Sequence, residues 1–204
     1  IKIDIDENTF SGPVVLILST TSVPASDRGT IKVTNIGIEL TASGQQPQRA
    51  IKLTLYYNDG DITGLDETKL VLGRYDEIHS RWITLPTTVY PDENKIVCRI
   101  NHLSKFAVLQ LVPANDLSNI MVYPNPFKPR EHTNGLMIVN LTARASIKIY
   151  TIAGELVREM TDFDGDGRIV WNGKNDNGSD VASGVYIGLI KGAGKKKVKI
   201  ALIR

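Results

Sequence analysis

Apolar and polar residues alternate with a period of two along most of the chain. The pattern is visible in residues 1–6, 30–40, 51–57, 69–75, 81–85, 95–100 and 104–111. Alternation of this kind turns one side of a segment to a core and the other to solvent, and it predicts β-strands. Short breaks rich in turn formers separate the runs, among them Asn58-Asp59-Gly60 and Pro91-Asp92-Glu93-Asn94. The i, i+3, i+4 spacing of an amphipathic helix does not persist over three turns anywhere, and residues 62–70 hold one helical turn at most. Strands recurring about every 8–12 residues predict sandwiches or barrels. The fold class is all-β.

A boundary is expected at Pro113-Ala114-Asn115-Asp116, after a run that reads as a last strand and before a fresh one at 119–123. Further strands are predicted over 136–141, 146–151, 155–160, 168–172, 185–190 and 196–203. The chain therefore reads as two consecutive antiparallel β-sandwich domains, residues 1–113 and 114–204. At 204 residues, the chain holds two domains of about 100 residues each, long enough to bury a core without metals or disulfides.

Lys+Arg 24 against Asp+Glu 22 gives a net charge of +2, without the concentrated basic face of a nucleic-acid partner. The one basic cluster, Lys195, Lys196, Lys197 and Lys199, is short, sits in an alternating pattern and reads as a solvated edge strand guarded by lysines. Cys98 is the single cysteine, so no disulfide forms within the chain. No apolar run approaches the ~18–20 residues of a membrane-spanning helix, and residues 14–18 fall well short. Ile1 opens directly into strand-like sequence, as expected of a mature product or a piece of something longer.

In the second half, Ala153-Gly154 reads as a hairpin turn and Trp171 as an inward plug between sheets. The run from Asn172 to Gly178 reads as a long turn, and Gly184 as a bend at the start of a strand. Two prolines in Tyr123-Pro124-Asn125-Pro126-Phe127 enforce an extended exit from the strand before them. Together with Ile149-Tyr150…Gly154, Trp171-Asn172-Gly173 and Ala182-Ser183-Gly184-Val185-Tyr186, these residues resemble one bacterial family. It is the Ig-like C-terminal domain shared by flagellar hook-capping proteins and the type A sorting domains of type IX secretion. The resemblance covers about residues 117–204. It implies a seven-stranded sandwich ending a larger exported protein, extracellular or on the bacterial surface. Its partners would be secretion or surface-anchoring machinery, or like subunits through edge strands such as 1–6 and 195–204.

Two stretches carry candidate chemistry. Asp162-Phe163-Asp164-Gly165-Asp166-Gly167 sets carboxylates at alternate positions among glycines, as calcium loops do. Gly173 stands where an EF-hand would need its bidentate Glu, so a solvated hairpin loop is the other reading. No other cofactor is expected. In the first half, His102-Leu103-Ser104, followed by the apolar strand from Phe106, resembles the cleavage site of adhesion-receptor autoproteolysis domains. Trp82, about twenty residues upstream, fits the same resemblance. It implies attack of the Ser104 hydroxyl on the Leu103 carbonyl with His102 as base, then hydrolysis of the ester. Ile100 replaces the second cysteine of the receptor pattern, so the local disulfide is missing. The other reading is architectural, with the hydroxyl bonding backbone.

His79 and His132 lack metal-ligand spacing. Asp59, Asp61, Asp66 and Glu67 read as loop residues before a glycosidase pair. Tyr56, Tyr57, Tyr75 and Trp82 offer a carbohydrate platform, about half of which alternation would bury. The expected function is a non-catalytic structural or sorting module in export, attachment or assembly. The alternatives are self-cleavage and calcium- or carbohydrate-dependent adhesion.

Overall fold

The computed structural model describes residues 1–26, 29–132 and 134–204. The chain is all-β and divides into two compact units, Ile1–Leu111 and Val112–Arg204. The first unit holds β1 (Lys2–Asp4), β2 (Leu16–Thr20), β3 (Ile31–Ala42), β4 (Ile51–Tyr56), β5 (Leu70–Asp76), β6 (Arg81–Leu85), β7 (Thr87–Tyr90), β8 (Lys95–Ile100) and β9 (Lys105–Leu111). They form two antiparallel sheets, ordered β1-β4-β8-β7 and β2-β3-β9-β5-β6. Inward residues of both sheets meet in one core that includes Leu40, Leu53, Leu72, Ile96 and Phe106.

The five-stranded sheet is buried on its other face too. There Val71, Trp82, Ala107 and Leu109 form a second cluster with Val23 and Tyr75 packed against it. This explains a departure from the sequence reading. β5 opens with four buried residues in a row and β9 is buried from Phe106 to Leu111, so the central strands do not alternate. β2 and β7 escaped the periodicity reading. β2 is a short, largely exposed apolar run, and β7 lies between Pro86 and Pro91. The helical turn expected in 62–70 corresponds to two 3₁₀ turns, Asp59–Ile62 and Glu67–Lys69.

The second unit holds β10 (Met121–Tyr123), β11 (Leu136–Val139), β12 (Ser146–Thr151), β13 (Leu156–Thr161), β14 (Ile169–Trp171), β15 (Gly184–Gly192) and β16 (Gly194–Leu202). Sheets β10-β11-β14 and β13-β12-β15-β16 enclose a core of Phe127, Leu136, Ile147, Ile149, Trp171, Ile200 and neighbours. The β12–β13 turn closes as the sequence suggests. Gly154 takes a φ of 88°, and its N–H donates to the Thr151 carbonyl at 3.0 Å. Gly184 opens β15 beside a bend at Ser183, and the position does not demand glycine. Its nearest foreign atom would stand 3.9 Å from an added Cβ, in ordinary contact.

Candidate functional site

The His-Leu-Ser triplet occupies the link from β8 to β9, where the chain crosses between the sheets of the first unit. Leu103 is buried, and the Gln46 carboxamide grips its peptide from both sides. Gln46 Oε1 accepts from Leu103 N at 2.7 Å, while Gln46 Nε2 donates to the Leu103 carbonyl at 3.2 Å. The Ser104 hydroxyl donates to the Tyr75 carbonyl at 3.3 Å, and the Ser104 carbonyl accepts from Leu40 N at 3.0 Å. His102 is exposed. Desolvation of its ring, then the nearby Arg74 cation, hold its pKa below the usual imidazole range. The triplet thus brings a neutral base, a hydroxyl and a donor on the acceptor carbonyl into one link, with the hydroxyl proton directed at backbone. Intact-mass spectrometry of the purified chain is expected to show one species of 22.5 kDa. Two fragments meeting at Leu103 and Ser104 would establish cleavage.

The Asp162–Gly167 loop brings its three carboxylates together, with ligand oxygens all within 4.8 Å of one another. Asp162 and Asp166 are 2% and 1% exposed, and Asp164 is exposed. The loop winds around Asp162. Its Oδ1 accepts from Gly165 N (2.9 Å) and Asp166 N (3.3 Å), and its Oδ2 from Gly167 N (3.0 Å). Asp166 Oδ1 accepts from Arg168 N at 2.7 Å, and its other oxygen pairs with the Arg168 guanidinium at 3.0 Å. Burial, then a hydrogen bond with Asp164 and the neighbouring carboxylate charges, push the Asp162 pKa up to about 6, against the opposing pull of the Gly167 N–H. The loop therefore gains from a neutralising partner, either a proton or a hard cation with oxygen preference.

The residues that carry the family resemblance converge in the second unit, and their polar atoms satisfy its own backbone. Trp171 is fully buried, donates from Nε1 to the Lys174 carbonyl at 2.8 Å, and packs against Phe127 and Tyr186 at 6.4 and 5.7 Å. Tyr186 donates its hydroxyl to the Ala182 carbonyl at 2.6 Å. Gly173 has a φ of 75°, and a Cβ there would meet Phe127, Leu202 and Pro129 atoms at 3.1–3.3 Å. The extended exit at 123–127 contains two cis peptides, Tyr123-Pro124 and Asn125-Pro126. Its Asn125 side chain bonds the β16 edge through Lys199 O (3.0 Å) and Ala201 N (2.9 Å). Phe127 N then donates to Ala201 O and Ile203 N to Phe127 O, at 2.7 and 2.9 Å.

Arg204 completes this cluster, a role that sequence reasoning missed. Its N–H reaches Ser183 Oγ, its guanidinium donates to the Val181 and Gly173 carbonyls, and it pairs with Asp180 at 3.1 Å. The family motif includes Gly173 and Ser183 but no arginine, and the alternation that runs to Arg204 marks a strand and not these contacts.

The remaining candidates separate. Tyr57 and Trp82 are buried and Tyr75 is half-buried, while Tyr56 is 52% exposed, so the four aromatics present no common outer face. Trp82 Nε1 donates to the Pro24 carbonyl at 2.9 Å. Asp61 and Asp66 accept from nearby loop groups, and Asp59 accepts from Asn94 Nδ2 at 2.9 Å. His79 pairs with Asp76 at 2.8 Å, and His132 Nδ1 accepts from Lys128 N at 2.9 Å. Among the described residues, the only grouping of three or more metal-type ligands is the aspartate loop.

No family model matches the chain, and no curated protein matches it. Two solved structures from Porphyromonas gingivalis are similar. One is PorZ, an essential bacterial surface component of the type-IX secretion system. It aligns over 48% of this chain and 14% of its own, with 28% identity and a TM-score of 0.40. The other is dimeric latent PorU, over 97% of this chain and 20% of its own, with 15% identity and a TM-score of 0.31. The chain thus spans a small part of either protein.

Proposed function

We propose that this chain is a non-catalytic structural or sorting module forming the C-terminal part of a larger secreted or cell-surface bacterial protein. It acts in export, attachment or assembly through protein contacts. The observation that carries this reading is the use of the motif residues in the second unit. Trp171, Gly173, Ser183, Tyr186 and Asn125 lock loops and an edge strand to one another, and their polar atoms point into that framework. A signature made of buried packing and internal hydrogen bonds serves a shape to be recognised. Deleting residues 114–204 from the parent protein is expected to leave it inside the cell, as fractionation and immunoblotting would show. Unchanged export after the deletion would overturn the reading.

A second reading is favoured by the three converging carboxylates of the 162–167 loop, which would take a calcium ion as adhesion modules do. A ligand that binds only the folded state raises stability by about 2.7 kcal/mol at a hundredfold excess over Kd. Calcium in millimolar excess over EGTA is therefore expected to raise the melting temperature at pH 7.5. An unchanged midpoint would dispose of the site.

A further inference from the structure

The two edges of the four-stranded sheet in the second unit are protected unequally. At β13, the loop residue Asp176 takes up the edge, since its N–H donates to Val157 O at 3.0 Å and its Oδ1 accepts from Glu159 N at 3.3 Å. At β16 only one half is taken. Asn125 and Phe127 engage Lys199 O, both main-chain groups of Ala201, and Ile203 N.

Because Ala201 turns both of its main-chain groups outward, the regular β15–β16 register fixes the rest of the strand. Val185↔Ala201, Ile187↔Lys199, Leu189↔Lys197 and Lys191↔Lys195 run without a bulge. Main-chain groups face the same way at every second residue. The N–H and C=O of Lys195 and Lys197, and the N–H of Lys199, therefore point away from the sheet. Among the described residues, no protein group bonds them. An open stretch of this kind is a template for another strand.

The side chains over that stretch are selective. Lys195, Lys197 and Lys199 alternate on one face, all exposed, and Lys191 stands across from Lys195. Among the described residues no ion pair engages any of these four. Beside them a surface depression is lined by Leu189, Ile190, Lys191, Lys195, Lys196 and Lys197. A strand added here would place its alternate side chains about 5 Å from the lysines. Carboxylates at those positions would each face an ammonium, whereas a second copy of β16 would set lysine against lysine.

We propose that the open half of the β16 edge, Lys195 to Lys199, binds an extended acidic segment of a partner protein as an added strand. This deepens the export-and-attachment reading and rests on it. The lysines that repel a like edge would be the same ones that choose the partner.

The test uses the whole chain and a capped, fluorescently labelled ten-residue peptide alternating Glu and Val. Fluorescence anisotropy is expected to show saturable binding that weakens with salt. Reversing Lys195, Lys197 and Lys199 to Glu should weaken it by about a hundredfold or more. Lys197→Pro removes one outward N–H without touching the β15 ladder, and should cost about tenfold. Should that variant fail to fold, the same peptide N-methylated at alternate amides must lose binding to the unaltered chain. Absence of binding overturns the proposal, and so does binding that the methylated peptide retains, which would mark a diffuse basic patch. Binding of phosphatidylglycerol vesicles in place of the peptide, or dimerisation of the chain through this edge, overturns it as well. None of these results bears on the deletion experiment, so the two ideas fail separately.

Discussion

Trp171→Ala should lower the unfolding free energy of the second unit by about 4 kcal/mol, within the range for deleting a buried aromatic. Three losses combine in that figure. The indole is 0% exposed, so its removal opens a void between the sheets instead of a surface dimple. Its edge-on contact with Tyr186 and its tilted contact with Phe127 disappear. Its Nε1 bond to the Lys174 carbonyl is also lost, leaving the 172–178 loop without that tether. A domain of this size is stable by only ~5–15 kcal/mol, so the variant should sit close to its folding threshold. Phe163→Ala supplies the contrast, because that ring is 89% exposed and its removal should change stability by less than about 0.5 kcal/mol. Denaturant melts followed by circular dichroism measure both. A Trp171→Ala loss below about 1 kcal/mol would contradict the role given to the indole.

The second large effect concerns pH. Burial pushes the Asp162 pKa up to about 6 in the folded chain, from 3.8 for the free side chain. A raised carboxylate pKa means that the folded state holds the proton more tightly than the unfolded one. Asp162 then adds nothing below about pH 4, and its cost grows between about pH 4 and 6 and levels off above. Two pKa units at ~1.4 kcal/mol each give a cost near 3 kcal/mol at neutral pH, of which about half should be relieved at pH 5. His102 and His132 act in the opposite sense. Desolvation lowers both pKa values, so their contribution is lost as pH falls through the unfolded histidine value. Comparison with Asp162→Asn removes those terms, because both proteins contain the histidines. Acidification from pH 7.5 to 5 should therefore stabilise the unaltered chain relative to the variant by about 1–2 kcal/mol. Parallel pH profiles would show that the Asp162 carboxylate feels no such burial.

Much of this architecture could be read from local sequence. The alternation in residues 51–57 and 95–100 and the turn at Gly154 each depend on neighbours within a few positions, so their residue types announce them. The aspartate loop was legible for the same reason, since its three carboxylates lie within five positions of one another. What escaped depends on distant partners. Gln46 grips Leu103 across 57 positions, and Asn125 reaches Ala201 across 76. The hydroxyl of Ser104 finds its acceptor at Tyr75, so the residue types of the triplet were visible while the direction of its proton was not. Burial on both faces of the five-stranded sheet likewise arises from Val23 and Trp82 covering β5 and β9. Half-closure of the β16 edge needs both the strand and the 125–127 strap, neither of which reveals it alone.

Export directed by the second unit alone is the most direct consequence of a sorting role. The measurement is to append residues 114–204 to a folded reporter enzyme carrying an inner-membrane export signal. The fusion is then expressed in a bacterium with type IX secretion and in the same strain lacking it, and reporter activity is compared in medium, cell surface and periplasm. Activity is expected in the medium or at the surface of the secreting strain, with retention in the periplasm of the other. Retention of the folded fusion in both strains would contradict a sorting role for this unit.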